Sequence, residues 1–66
     1  MFKEYVSKIA DGIVKGQIPN SYHLLFLLDI TCEYFYEYDY DCYEILYPAL
    51  LFLKKSLEIE EKEGGE

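Results

Sequence analysis

The stretch from Tyr22 to Tyr47 constrains the fold more than any other part of the chain. It opens with a nearly unbroken apolar run over residues 24–28 and continues into residues 34–41, where tyrosine alternates with phenylalanine or acidic residues. Seven of the eight tyrosines and six of the thirteen acidic residues lie in this stretch, which contains no lysine. A fold built around it must bury a broad apolar surface while leaving aromatic and acidic side chains outside.

The chain is so short that its hydrophobic core alone gives only marginal stability. Its 66 residues form one domain, and a domain this small is marginal without a disulfide, a metal or oligomerisation. We predict a single helical domain over residues 1–62, followed by a flexible acidic and glycine-containing tail at 63–66. The spacing of Cys32 and Cys42 relative to the predicted helix ends favours two buried, reduced thiols over a disulfide.

Three amphipathic segments predict an all-α fold, a small three-helix bundle with up-down-up topology. The helices are expected near residues 2–15, 21–38 and 42–62, with Gly16 closing the first, Asn20 or Ser21 capping the second, and Asp41 with Glu44 capping the third. The second helix has the broadest apolar surface and is expected to be central. The predicted core comprises Val6, Ile9, Ile13, Leu25, Leu28, Phe35, Leu46, Leu50 and Leu53.

Two local features complicate this interpretation. The tyrosines at 34, 36, 38 and 40 have the two-residue period of a β-strand, although only a strand exchanged between two copies would find a partner. Pro48 removes a helical hydrogen bond and clashes with the carbonyl of Glu44. The third helix is therefore expected to be kinked or split at Pro48.

Charge and composition exclude several classes of protein. The net charge is −7 and arginine is absent, which argues against direct binding of nucleic acid. Charged residues interrupt the first apolar positions, so no signal peptide is expected, and the longest apolar run is far below the ~20 residues that span a bilayer. We therefore expect a cytoplasmic protein that does not interact with membranes.

No group of residues forms a convincing catalytic or metal site. His23 and Cys32 are nine residues apart on one predicted helix, about 13 Å along its axis, so they cannot act together within one copy. Glu37, Asp39 and Asp41 resemble the start of a calcium-binding loop, but the required glycine and final glutamate are missing. We expect no enzyme activity, no cofactor and no structural metal.

The remaining feature is an acidic, tyrosine-rich surface, which predicts a protein that binds a basic surface on another protein. Aromatic residues interleaved with acids are typical of interfaces rather than of a face that only maintains solubility. In bulk character the chain is similar to small acidic inhibitors encoded by phages and plasmids and to antitoxin-like proteins. We expect it to occlude a basic, nucleic-acid-binding surface of a partner, and nucleic-acid mimicry is one form of this hypothesis. No motif identifies a family. The predicted partner-binding residues are Asp29, Glu33, Tyr36, Glu37, Asp39, Tyr40, Asp41 and Glu44.

An alternative hypothesis is a structural subunit that assembles with copies of itself. Twelve aromatic side chains exceed what three short helices can enclose, and three or four buried in a contact approach the ~800 Å² per partner of a standard interface. We expect a homodimer or higher oligomer in either case. The tyrosines predicted to mediate self-association are Tyr34, Tyr38, Tyr43 and Tyr47.

Overall fold

A computed structural model describes the backbone of residues 2–64 and the side chains of residues 2–59. The described chain contains three α-helices and no strand: α1 (Phe2–Val14), α2 (Tyr22–Tyr38) and α3 (Tyr40–Gly64). The all-α prediction is confirmed, and the helix ends lie within two residues of those predicted. The exchanged-strand alternative is wrong, because residues 34–38 belong to α2 and residues 40–41 to α3. Of the predicted tail, residues 65 and 66 lie outside the described part of the chain.

The C-terminal end of α1 is closed by glycine, as predicted. Gly16 has φ 77°, a left-handed conformation that costs glycine little. The amide N–H of Gly16 donates to the carbonyl of Ile13 at 3.3 Å, and that of Gln17 donates to the carbonyl of Gly12 at 2.8 Å. These two hydrogen bonds form a Schellman motif, which satisfies carbonyl groups at the helix end. The motif turns the chain so that the half-buried side chain of Ile18 lies against Gly12.

The N-terminus of α2 is capped by Ser21 rather than Asn20. Ser21 has extended backbone angles, and its Oγ accepts a hydrogen bond from the amide of Leu24 at 3.1 Å. This contact satisfies one of the amide groups that have no partner inside the helix. Buried side chains recur at Leu28, Cys32 and Phe35, so one stripe of α2 faces the core.

A single residue, Asp39, joins α2 to α3. Its amide donates to the carbonyl of Phe35 at 2.8 Å, which ends α2, while its own carbonyl accepts from the amide of Tyr43 at 3.1 Å. Its carboxylate accepts from the amide of Cys42 at 3.4 Å, as an N-cap does. The predicted Asp41–Glu44 capping box is therefore wrong, since α3 begins two residues before the expected position.

Helix α3 continues through Pro48 as one element. The alternative in which this segment splits into a turn and a separate helix is wrong, whereas a kink stays a prediction. Pro48 is exposed, so its ring and the Glu44 carbonyl that it leaves without a helical partner lie on the solvent side, where water can bond that carbonyl.

Helix α3 is the centre of the fold and packs against both α1 and α2, which do not pack closely against each other along the described chain. The expectation that α2 is central is wrong: α2 has apolar residues on several sides, but α3 covers only one of them. The molecule is correspondingly thin, with extents of 43 × 22 × 16 Å. One continuous core contains Val6, Ala10, Ile13, Leu28, Cys32, Phe35, Cys42, Leu46, Ala49, Leu50, Leu53 and Leu57.

The predicted core is correct at seven of its nine positions. Ile9 is 45% exposed, because α1 turns Ala10 instead toward α3. Leu25 is half-buried and packs at the edge of the core. The side chain at position 9 is thereby placed beside the space between α1 and α2.

Candidate functional site

The alternating tyrosines of α2 point to two sides of the helix. Two residues along an α-helix correspond to a rotation of about 200°, and four residues return to nearly the same side. The rings of Tyr34 and Tyr38 accordingly contact each other, with centroids 4.8 Å apart. Tyr36 faces the other side, where it contacts Tyr40 and Tyr43 of α3. The two-residue period that resembles a strand thus places aromatic rings on both flanks of α2.

The rings on the α3 side form a continuous group, the tyrosine cluster, made up of Tyr36, Tyr40, Tyr43 and Tyr47. Neighbouring ring centroids lie 5.1–5.6 Å apart, and the Tyr43 and Tyr47 rings are stacked. Tyr43 is half-buried at the centre, and burial, together with the nearby Tyr47 and Tyr40, raises its pKa. The other three rings are exposed, so the cluster is an ordered aromatic surface held in place by its own contacts.

Beside the tyrosine cluster, α2 and α3 enclose a long groove, the tyrosine–acid groove. It consists of two adjoining cavities of ≈ 430 and ≈ 260 Å³ that share Asp29, Tyr47 and Leu50 in their walls. Glu33 also lines the second cavity, one helical turn from Asp29. Lys54 lines the first cavity and, among the residues whose side chains are described, is the only basic one in the two linings. The surface therefore combines apolar walls, phenol groups and two adjacent carboxylates.

The other predicted partner-binding acids lie elsewhere. The Asp39 carboxylate is occupied by the α3 cap. Asp41 forms an exposed ion pair with Lys3, whose ammonium nitrogen donates to Oδ2 of Asp41 at 2.8 Å, and this hydrogen bond and charge raise the pKa of Lys3. Glu37 and Glu44 are exposed but line neither cavity. Of the predicted set, the groove brings together Asp29, Glu33 and Tyr36, with Tyr40 alongside in the cluster.

A second groove, the α1–α2 groove, lies on the opposite flank of α2. It has a volume of ≈ 240 Å³, its floor includes Leu46 of α3, and its walls include Phe2, Tyr5 and Ile9 of α1. The Phe2 ring meets Phe35 edge-on at 5.9 Å, and Tyr34 in turn contacts Phe35 at 6.1 Å. The four predicted self-association tyrosines are therefore divided, with Tyr34 and Tyr38 beside this groove and Tyr43 and Tyr47 in the tyrosine cluster.

Several residues that line these grooves were not predicted from the sequence. Tyr22, Phe26, Leu51 and Lys54 extend the tyrosine–acid groove toward the start of α2. The sequence feature that these residues share is an apolar or amphipathic side chain outside the buried stripe of each helix, and this feature could have identified them. Sixteen large apolar or aromatic side chains are exposed in the described chain, more than the twelve residues of its core. The surfaces between the helices are therefore the candidate binding sites.

The groups with the most reactive chemistry are not accessible. Cys32 and Cys42 are free and buried, as predicted, and burial raises the pKa of each thiol. The Cys42 thiol also donates to Oδ2 of Asp39 at 3.3 Å, which favours its protonated form. A protonated, buried thiol is a poor nucleophile. Within residues 2–59, no group of three or more histidine, cysteine or acidic side chains is arranged to hold a metal ion.

None of the helices in the described chain combines the length and apolar character needed to cross a membrane. Comparison with known proteins found no family model, no curated protein and no solved structure that matches this chain. Its function must therefore be inferred from the two grooves.

Proposed function

We propose that this protein is a non-enzymatic binding module that docks a basic, amphipathic segment of a partner protein in the tyrosine–acid groove. By binding that segment, the protein covers a basic surface of the partner, as a small acidic inhibitor or antitoxin-like protein would. The observation that carries the proposal is the tyrosine cluster, four rings joined by contacts through Tyr43, beside a groove whose wall contains Asp29 and Glu33.

The aromatic part of the groove supplies affinity. Tyrosine is enriched among the residues that dominate binding energy, because it offers a large rigid surface and a polar tip at a low cost in conformational entropy. The rings of Tyr36, Tyr40 and Tyr47 are exposed and already held by neighbouring rings. A partner therefore meets an aromatic surface that needs little further ordering.

The charged part of the groove selects a basic partner. Asp29 and Glu33 outnumber Lys54 in the lining, and the net charge of −7 adds a long-range attraction for cations. Such complementarity chiefly increases association rate and specificity. A helix with leucine-like residues on one side and lysine or arginine on the other matches both the apolar walls and the two carboxylates.

Nucleic-acid mimicry, in which the acidic residues imitate a row of phosphates, fits this surface less well than the docking of a basic segment. Acids spaced one helical turn apart, about 6 Å, are sparser than the phosphates of one DNA strand, about 3.4 Å apart along the axis. Asp39 and Asp41 are also engaged within the chain itself. A groove that combines aromatic contacts with two carboxylates accounts for the surface better than a track of negative charges.

The proposed architecture has the helices in up-down-up order. The Phe2–Phe35 contact and the Lys3–Asp41 ion pair support that order, since they set the start of α1 beside the end of α2 and the start of α3. A kink near Pro48 is part of the same proposal. It bends α3 between Tyr47 and Leu50, where both cavities of the groove meet.

The proposal is tested with a synthetic 20-residue amphipathic peptide of leucine and lysine, measured by titration calorimetry at low and high salt. We expect binding that weakens with salt. Two exposed charge pairs, at roughly 0.2–1 kcal/mol each, correspond to about a 2- to 30-fold loss of affinity in the Asp29→Asn/Glu33→Gln double variant. The matched control, Glu4→Gln/Asp11→Asn, removes the same net charge from exposed positions of α1 and should bind nearly as the parent does.

A second pair of variants tests the aromatic part of the groove. Tyr36 and Tyr38 are 60% and 69% exposed, and they lie on opposite flanks of α2. We expect Tyr36→Ala to weaken peptide binding by about tenfold or more, the effect of losing a major interface contact, and Tyr38→Ala to leave it nearly unchanged. Equal effects of the two tyrosine variants, or of the two charge-removing variants, would contradict the proposal.

A further inference from the structure

We propose that the α1–α2 groove is the interface of a symmetric homodimer, in which two copies pack these apolar surfaces against each other. This surface differs from the tyrosine–acid groove in both position and chemistry. Its walls are formed by α1 and α2, on the flank of α2 that faces away from the tyrosine cluster. The proposal does not depend on the proposed binding of a basic partner.

The absence of charge in this groove is the first argument for a second copy as its occupant. The groove is lined by aromatic and aliphatic residues with two hydroxyl groups, those of Tyr5 and Thr31, and contains no charged side chain among the described residues. The Thr31 hydroxyl already donates to the carbonyl of Leu27 at 2.7 Å, so it presents mainly its methyl group. Two copies that each carry a charge of −7 repel strongly, and this neutral surface lets them meet without opposing Asp29 and Glu33.

The area available is the second argument. Phe2, Tyr5, Tyr34 and Tyr38 are 58–69% exposed on this flank. Since a fully buried aromatic side chain removes about 150–250 Å² from water, these four rings alone offer roughly 400–600 Å² per copy. Ile9 and Leu27, also exposed, bring the surface close to the ~800 Å² per partner of a stable interface.

The shape of the surface suits a two-fold axis. A symmetric dimer requires one surface that complements itself, and here exposed side chains on both walls flank a recess whose floor reaches Leu46 of α3. In the dimer, the walls of one copy enter the recess of the other, and α1 and α2 of both copies lie between the two α3 helices. Both tyrosine–acid grooves then face outward and stay accessible.

The experiment is sedimentation velocity of the chain at about 10 and 100 µM, with three variants that each introduce one glutamate. Ile9→Glu adds a charge to the α1 wall of the α1–α2 groove. Leu27→Glu adds one on α2, one helical turn before Thr31 of the opposite wall. The control, Leu51→Glu, makes the same change at an exposed position of the tyrosine–acid groove. All three positions are exposed, so the variants should fold, and far-ultraviolet circular dichroism verifies their helix content.

We expect the parent and Leu51→Glu to sediment at twice the mass of one chain at the higher concentration, and the other two variants to lose the dimer. Raising salt should leave the parent dimer intact, since its interface is apolar. A monomeric parent at 100 µM would overturn the proposal. So would a dimer that survives both Leu27→Glu and Ile9→Glu but dissociates with Leu51→Glu, which would place self-association in the tyrosine–acid groove.

Discussion

The carboxylate of Asp39 accepts two hydrogen bonds from Cys42, one from its amide at 3.4 Å and one from its thiol at 3.3 Å. The first caps α3, and the second holds a fully buried thiol in its protonated form. Because Asp39 also ends α2, this one residue sets the angle at which α3 leaves α2. The tyrosine cluster spans that junction, with Tyr36 on one side and Tyr40, Tyr43 and Tyr47 on the other.

Replacing Asp39 should therefore destabilise the whole domain. We expect Asp39→Ala to lower the free energy of unfolding by about 1–2 kcal/mol, the upper part of the range for losing an N-cap, measured by urea denaturation. Asp39→Asn should retain most of the stability, because asparagine caps nearly as well. The control, Asp41→Ala, removes an ion pair exposed to solvent and should cost less. An Asp39→Ala variant as stable as the parent would show that the cap is dispensable.

The contact between Gly12 and Ile18 predicts a strong coupling. A Cβ atom at position 12 would lie 3.0 Å from Cδ1 and 3.2 Å from Cγ1 of Ile18, so Ile18 must move to accommodate it. Alanine in a helix is otherwise favoured over glycine by about 1 kcal/mol. Gly12→Ala should therefore be more favourable in an Ile18→Ala background than in the parent, by roughly 0.5–2 kcal/mol in a double-mutant cycle of unfolding free energies. An additive cycle would contradict the contact.

Two leucines of α3 provide a direct test of the core. Leu53 is fully buried, whereas Leu51, two residues away, is 48% exposed. Leu53→Ala should cost about 2–5 kcal/mol through lost burial and the cavity left behind, enough to unfold much of a domain this small. Leu51→Ala should change the thermal midpoint only slightly. Similar midpoints for the two variants would mean that the buried side of α3 is misplaced.

The buried thiols and Tyr43 predict a loss of stability at alkaline pH. Folding raises the pKa of Cys32, Cys42 and Tyr43, with burial as the largest cause in each. Each therefore favours folding fully below its ordinary pKa, and that contribution is lost as pH rises through the folded pKa. The urea midpoint should be steady near pH 7 and fall above about pH 9. Tyr43→Phe removes one titrating group and should reduce the fall between pH 9 and 11; an unchanged fall would exclude Tyr43 from it.

The same burial predicts slow thiol chemistry. At pH 8, iodoacetamide should alkylate Cys32 and Cys42 far more slowly in the folded protein than in urea, because the reactive thiolate is scarce and inaccessible. Mass spectrometry of the Cys32→Ser variant follows Cys42 alone. Alkylation of Cys42 at the same rate in the folded and unfolded protein would show that the α2–α3 junction opens readily.

The sequence by itself determined the three helices and most of their ends. The glycine at position 16 and the serine at position 21 act within a few residues of the chain. Helix periodicity can also be recognised in the sequence alone, although the helices depend on packing for most of their stability. The stripe through Leu28 and Phe35 in α2 and that through Leu46, Leu50 and Leu53 in α3 were predictable for the same reason.

Only the tertiary structure decided which helix is central, which apolar residues stay outside and which tyrosines meet. Positions 9 and 10 of α1 are both apolar and differ by about 100° around the helix, so periodicity cannot choose between them, and packing on α3 selected Ala10. The apolar surface of α2 extends around most of the helix. The sequence therefore shows that a large surface is available for packing, but it does not show which element packs on each side. Tyr34 and Tyr36 lie only two residues apart in sequence, yet they border different grooves. The two flanks of α2 become different surfaces only when α1 and α3 pack beside them.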